Sequence, residues 1–275
     1  MKRTLYIAAS LLALAACSKN AAPADLVEWS FEAVATKAAI SDAGVFSWSA
    51  GDQIKIWDNT TSAFVTFTDK VGKGVYTAEA PRTSVFSTAI YPASVAAGTT
   101  SVTLPATYSA DEAAAGKTFP MVAEVNASNN TLSFKHAAAL LRFTIAGVSE
   151  EMTQLTVTAT GKNISGTFSL AGSPAVIAAT DGAAGVTIPL SLTGTSNVEV
   201  TLPMPAGSYA YSIKVGTAAA PELFQASTGA AAQTFERAKI YKLGNLDFYL
   251  NDILLESDVK GEDFTVEQDN PYNWN

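Results

Sequence analysis

Apolar and polar residues alternate with a period of two along most of this 275-residue chain. In the stretch EWSFEAV, Trp29, Phe31 and Ala33 fall on one face, and Glu and Ser fall on the other. The same alternation recurs in LSFKH, LRFTI, LTVTA, VEVTL and YAYSIKV. Because side chains alternate across a strand, the pattern predicts antiparallel strands that each bury one face.

Turn-forming residues separate these predicted strands at short intervals. They include Gly51-Asp52, Gly72 to Gly74, Asn129-Asn130, Gly172 to Pro174, Asp181-Gly182 and Pro205 to Gly207. Helix-compatible sequence is confined to a short stretch near residues 110–116. Many short strands with regular turns predict an all-β fold built from β-sandwiches.

The length of the chain permits one or two domains, and we expect two. Strand-rich sequence continues for a comparable length on either side of the segment GVSEE, so the predicted domains are 26–148 and 149–275. Residues 17–25 are small and polar with one proline, which predicts a tether that does not bury a core.

The first sixteen residues have the pattern of an export signal. Lys2 and Arg3 precede an apolar run of about ten residues, which is too short to span a bilayer as a helix. The run ends in Leu-Ala-Ala-Cys, the pattern of a bacterial lipoprotein signal, which predicts cleavage between Ala16 and Cys17 and a lipid on Cys17. The alternative is an ordinary secretory signal with a chance cysteine, although Cys17 is the single cysteine of the chain.

Charge and composition exclude several classes of function. The formal net charge is −8, and removal of Lys2 and Arg3 with the signal brings it near −10, so nucleic acid is not an expected partner. The single histidine, His136, falls on the inward face of LSFKH, and no catalytic motif is present. We therefore expect no enzyme activity, no cofactor and no metal site.

Several short motifs follow one another in a characteristic order. They are FSWSAGDQIKIW, STAIYPAS, TLPATY, LSFKHAAALLRFTI, LPMPAGSYAYSIKV and TFERAKIYKLGNL. Behind a lipoprotein signal, this order resembles the fimbrillin-like family of Bacteroidales-type bacteria, the lipoprotein precursors of type V pilus subunits. The likeness covers about residues 26–248. It implies two tandem transthyretin-like β-sandwich domains on a protein that reaches the outer-membrane surface.

The resemblance also implies assembly by strand exchange. A protease trims the first strand in polymerising members, and a strand of another subunit fills the vacated groove. Here that removable strand would carry Trp29, Phe31 and Ala33 inward. The best-known members are cut after an arginine, but this chain has Lys37 followed by Ala38 at that position. Cleavage by a lysine-tolerant protease and retention of the strand both stay open.

The tail after residue 248 has two alternative roles. Phe264 and Val266 alternate with polar residues and could form a donor strand, or the tail could fold back onto its own domain. A rival function is glycan capture by a lipid-anchored surface protein, with Trp57, Tyr272 and Trp274 stacking on sugar rings.

The resemblance thus implies a structural or adhesive pilus subunit. Its expected partners are other subunits in a homo- or heteropolymer, the outer membrane through the lipid on Cys17, and ligands on host or bacterial surfaces. The expected location is the outer membrane, or the fimbrium if the chain is processed.

Overall fold

The computed structural model describes residues 25–33, 48–115, 119–221, 223–228 and 230–247. Across these residues the chain forms short β-strands, one α-helix, α1 (Ala110–Ala115), and one 3-10 helix (Ala93–Val95), which confirms the predicted all-β fold. Helix α1 lies where the sequence predicts it. Ser109 caps it, because the Ser109 hydroxyl accepts from the Glu112 amide and the Glu112 carboxylate accepts from the Ser109 amide.

The strands follow one another closely along the chain. Those up to residue 136 are β1 (Leu26–Ala33), β2 (Gln53–Asp58), β3 (Ala63–Asp69), β4 (Val75–Pro81), β5 (Phe86–Tyr91), β6 (Ala96–Gly98), β7 (Ser101–Leu104), β8 (Met121–Asn126), β9 (Thr131–Leu132) and β10 (Lys135–His136).

The remaining strands are β11 (Ala139–Val148), β12 (Gln154–Ala159), β13 (Lys162–Asn163), β14 (Gly166–Ala171), β15 (Val176–Ile177), β16 (Thr180–Asp181), β17 (Val186–Pro189), β18 (Ser196–Met204), β19 (Gly207–Tyr209), β20 (Tyr211–Gly216), β21 (Phe224–Ser227), β22 (Gln233–Phe235) and β23 (Ile240–Asp247).

Seven strands of the N-terminal part pair in a closed ring, in the order β8-β5-β2-β3-β4-β1-β9 and back to β8. The ring closes because β9 pairs with both β1 and β8. It encloses an apolar cluster, here called the ring core, which includes Phe31, Ile54, Ile56, Phe67, Tyr76, Phe86, Tyr91, Phe119 and Phe134.

The C-terminal part buries a second core between two sheets. Strand β11 pairs with β18 and β23, while β12 pairs with β13, β17 and β20. Leu141, Phe143 and Ile145 are buried and alternate with half-buried Arg142 and Thr144, as the sequence predicts. Two pairings, β1 with β9 and β11 with β23, are parallel, a feature that alternation does not reveal.

A small third cluster connects these two parts. Strand β7 pairs with β14, and the bridging cluster contains Ile90, Val95, Val102, Leu104, Val122, Phe168 and Ile177. Strands β7 and β11 therefore both pair with strands beyond residue 148, the boundary between the two predicted domains. That division itself stays a prediction.

Asp58 is a fully buried carboxylate at the end of β2. Burial by itself would raise the pKa of Asp58, but four hydrogen bonds oppose it and lower the pKa below its ordinary 3.8. Their donors, at 2.9 to 3.0 Å, are Thr60 N, Thr61 Oγ1, Ser84 Oγ and Val85 N. The carboxylate thus joins the turn after β2 to the start of β5.

We expect Asp58→Asn to lower the free energy of unfolding by about 2–3 kcal/mol at pH 7, because a neutral amide cannot accept all four bonds. Since the folded pKa is depressed, this stabilisation is present above the unfolded pKa and is lost as pH falls through the folded pKa. Urea unfolding should therefore show a smaller difference in the free energy of unfolding between variant and wild type at pH 3 than at pH 7.

The matched control is Asp181→Asn, which removes a carboxylate that is 93% exposed and paired with Lys162. It should change stability far less than Asp58→Asn. Equal losses in the two variants would contradict the role assigned to Asp58.

Candidate functional site: the first strand and its groove

Strand β1 lies between β4 and β9 in the ring. It pairs antiparallel with β4 over seven residues, from Leu26 opposite Pro81 to Glu32 opposite Val75. On its other side it pairs parallel with β9 over only two residues. The seam between β1 and β9 is therefore much shorter than the seam between β1 and β4.

The inward face of β1 is the one that the sequence predicts. Val27, Trp29 and Ala33 are half-buried and Phe31 is 1% exposed, while the alternate residues face solvent. Phe31 therefore belongs to the ring core, and Trp29 and Ala33 pack against it. The proposed roles of Trp29, Phe31 and Ala33 in a removable strand stay a prediction.

Phe31 anchors β1 in an aromatic cluster. Its ring centroid lies 5.2 Å from that of Phe67 and 5.5 Å from that of Phe86, in edge-to-face contacts. Trp29 contacts Phe86 at 5.1 Å and stacks beside Phe31 at 6.3 Å. Such pairs add about 0.5–1.5 kcal/mol each beyond the area that they bury.

Strand β4 is complementary in size to β1. Small Ala78 lies opposite Trp29 and small Ala80 lies opposite Val27. The indole nitrogen of Trp29 donates to the Pro81 carbonyl at 3.3 Å, so the half-buried ring keeps a polar partner. The β4 positions opposite Trp29 and Val27 therefore leave room for the larger side chains of β1.

The end of β1 is held by the turn at residues 69–74. The Ala33 amide donates to the Gly74 carbonyl at 2.8 Å. The buried Asp69 carboxylate fixes the turn by accepting from the amides of Val71 (3.0 Å), Gly72 (2.8 Å) and Gly74 (2.6 Å). Together, the Asp69 carboxylate, the Gly74 carbonyl and the Ala33 amide form a latch that holds the end of β1. The sequence of this latch, TDKVGKG, predicts only a turn.

Trp48 packs against the same turn. A Cβ on Gly74 would lie 2.7 Å from the Trp48 ring, and Gly74 has φ +77°. Trp48 also contacts Tyr76, Tyr91 and Phe134 edge-on or tilted, at 5.3 to 5.9 Å between centroids. Glycine at this position therefore allows the close approach of Trp48.

The start of β1 is held by a second contact that the sequence analysis missed. The Arg82 guanidinium Nε lies 2.7 Å from the Asp25 carboxylate, and the Arg82 amide donates to the Asp25 carbonyl at 2.9 Å. Both side chains are largely exposed, so the ion pair contributes little to stability. The backbone bond between Arg82 and Asp25 nevertheless continues the pairing of β1 with β4 by one residue beyond Leu26.

Other predicted site residues lie outside the described residues. These are Ala16, Cys17, Lys37, Ala38, Phe264, Val266, Tyr272 and Trp274. Lys37 belongs to the segment 34–47, which connects Ala33 to Trp48. The two flanking residues, Ala33 and Trp48, both lie beside Gly74.

His136 and Trp57 are placed by their packing. His136 is fully buried, its ring lies 5.8 Å from that of Phe119, and its carbonyl accepts from the Arg237 guanidinium. It belongs to β10, which is separate from β9, so the predicted LSFKH strand is two short strands. Trp57 is half-buried, with its ring edge-on to Phe64 at 5.2 Å. Glycan binding stays a prediction.

Two features are absent from the described residues. They contain no helix that is long and apolar enough to cross a membrane. They also contain no group of three His, Cys, Asp or Glu side chains placed to hold a metal ion.

Comparison with known proteins gives a shared fold. No family model and no curated protein matches the chain. A solved structure of a candidate cell adhesion protein from Bacteroides ovatus ATCC 8483 has a TM-score of 0.53 and 12% identity, covering 88% of this chain and 100% of the other. Another, from Bacteroides uniformis ATCC 8492, has a TM-score of 0.45 and 17% identity, covering 84% and 96%. The first likeness shows that the fold is shared.

We expect Phe31→Ala to lower the free energy of unfolding by about 3–5 kcal/mol, because it leaves a cavity among Phe67 and Phe86. The control is Leu26→Ala on the same strand, where the side chain is 53% exposed and the change should stay within about 0.5 kcal/mol. Urea unfolding measures both. Similar losses for the two variants would contradict the anchoring role of Phe31.

Gly74→Ala should loosen the end of β1. Its Cβ collides with Trp48 and its positive φ is strained, so a loss of about 2 kcal/mol is expected. Gly161→Ala, at φ +66° with nothing within 4 Å of its Cβ, reports the backbone strain alone. Hydrogen exchange at the Ala33 amide should rise in Gly74→Ala and not in Gly161→Ala. The reverse order would contradict the latch.

Proposed function

We propose that this protein is a cell-surface adhesion protein that serves as a structural or adhesive pilus subunit and assembles by strand exchange at the β1 groove. The observation that carries the proposal is the position of β1, the first strand of the described residues, which closes a ring through backbone pairing and a few inward aromatic residues. The neighbour from Bacteroides ovatus, a candidate cell adhesion protein, supports the adhesion role.

Loss of β1 would create a groove that favours another strand. Its walls would be the free edges of β4 and β9, and its floor would be the aromatic cluster of Phe67 and Phe86. Unpaired edges and exposed apolar surface both favour strand addition. If Trp29 and Phe31 bury ~150–250 Å² each, the groove forfeits up to roughly 8–12 kcal/mol until it is filled.

The predicted N-terminal features fit delivery of such a subunit. A lipid on Cys17 would anchor the chain to the outer membrane through the tether that precedes β1. A cut after Lys37 would separate Cys17, the tether and β1 from the chain that begins at Ala38. Without the cut, the protein would be a capped, anchored subunit, and both versions remain part of the proposal.

The N-terminus of the protein isolated from cells distinguishes these versions. Mass spectrometry should find either an acylated Cys17 or a new N-terminus at Ala38, and Lys37→Ala should abolish the second. Any other N-terminus would contradict the predicted processing.

Assembly is tested by replacing residues 35–40 with the site of a sequence-specific protease. Cleavage should yield SDS-resistant ladders or filaments, while a scrambled site should not. Strictly monomeric protein after loss of β1 would contradict strand exchange. Retardation in polysaccharide gels that is lost in Trp57→Ala would instead support glycan capture.

A further inference from the structure

The groove of β1 is selective at two of its inward sites. The Phe31 site is closed, since Phe31 is 1% exposed and two aromatic edges approach its ring. The Trp29 site offers the Pro81 carbonyl to an indole N–H and faces the small side chain of Ala78. A strand that replaces β1 with equal affinity therefore needs Trp and Phe two residues apart.

The chain's own tail fits these sites poorly when Phe264 takes the place of Trp29. Phe264 has no N–H to donate to the Pro81 carbonyl. Val266 would then take the place of Phe31 and leave part of the closed aromatic site empty, which is the costly kind of large-to-small change.

The tail also fits poorly when it is shifted by two residues. Phe264 then fills the Phe31 site, but Glu262 falls at the Trp29 site beside the Phe86 ring. A carboxylate in an apolar site loses its hydration without gaining a partner. Each of these two registers of the Phe264–Val266 segment therefore has one serious mismatch.

We propose that the strand that fills the groove of one copy is β1 of a second copy, exchanged without cleavage of the chain. This rests on the proposed function and names the exchanged strand for the version in which β1 stays attached to the chain. The pattern Trp-x-Phe occurs once in the sequence, at Trp29 and Phe31. A second copy therefore supplies a strand that reproduces every contact of β1, including Asp25 with Arg82 and Ala33 with Gly74.

The covalent link to β1 is long enough for this exchange. Fourteen residues, 34–47, connect β1 to Trp48. Fully extended, they reach at most about 46–50 Å, whereas an eight-residue strand spans about 26 Å. Reciprocal exchange between two copies closes a dimer, and successive exchange from copy to copy forms an open chain.

Engineered cysteines can detect the exchange directly. In a Cys17→Ser background, which removes the single cysteine, one chain carries Ser30→Cys and another carries Thr77→Cys. Ser30 lies opposite Thr77, and such cross-strand partners are within disulfide range. Mixing the two chains in mild urea and then oxidising should give a disulfide between chains. Thr66→Cys, on non-adjacent β3, is the matched control and should give at least about tenfold less.

A peptide of residues 25–33 should inhibit the disulfide between chains by occupying the groove. The tail peptide 260–270 and the 25–33 peptide with Phe31→Ala should each need at least about tenfold higher concentration, because each leaves the Phe31 or Trp29 site poorly filled. Equal potency of the three peptides would overturn the selectivity argument.

The outcomes separate this inference from the proposed function. The double variant Ser30→Cys with Thr77→Cys should form its disulfide within one chain, which checks the register. If it does, and mixed chains give no more product than the Thr66→Cys control, β1 exchange is overturned. Ladders that form only after cleavage would then leave the proposed function standing, while the absence of both ladders and mixed disulfide would overturn both.

Discussion

The closure of the seven-stranded ring depends on β1, which within the described residues is the strand that joins β4 to β9. The other six strands come from residues 53–132, whereas β1 lies earlier in the chain and is separated from β2 by residues 34–52. Its pairing with β4 joins residues about fifty positions apart, so loop closure opposes it and burial must compensate. Phe31 supplies that compensation, because it is the β1 residue that enters the aromatic cluster completely.

The two sides of β1 differ in a way that gives the ring a weak seam. Seven paired positions join it to β4, but only two join it to β9, and the start and end of the strand are held by contacts with Arg82 and Gly74. Local opening in proteins follows the regions with the fewest buried contacts and hydrogen bonds. The ring is therefore expected to open first between β1 and β9, which leaves β4 as the longer template for a strand.

Alternation along the chain predicted the strand class and the inward faces well. Trp29 with Phe31, and Leu141 with Phe143, point inward as expected because the period of two is a local property of an extended backbone. Local pattern carries no information on which distant strands meet, so the parallel β11–β23 pairing and the β7–β14 bridge were not predicted. The latch at Asp69 was missed for a related reason: an acidic residue before two glycines is typical of any turn.

The division of the apolar residues among three clusters determines what an exchange of β1 would disturb. Phe31, Trp29 and Ala33 belong to or pack against the ring core, and the second core and the bridging cluster contain no residue of β1. Strand β7 and β11 pair with strands far from β1, so their hydrogen bonds do not depend on it. A strand can leave without global unfolding only when the cores that remain are complete without it. The second core and the bridging cluster meet that condition. The ring core does not, and it is complete again only when a matching strand with an aromatic residue at the Phe31 position closes the ring.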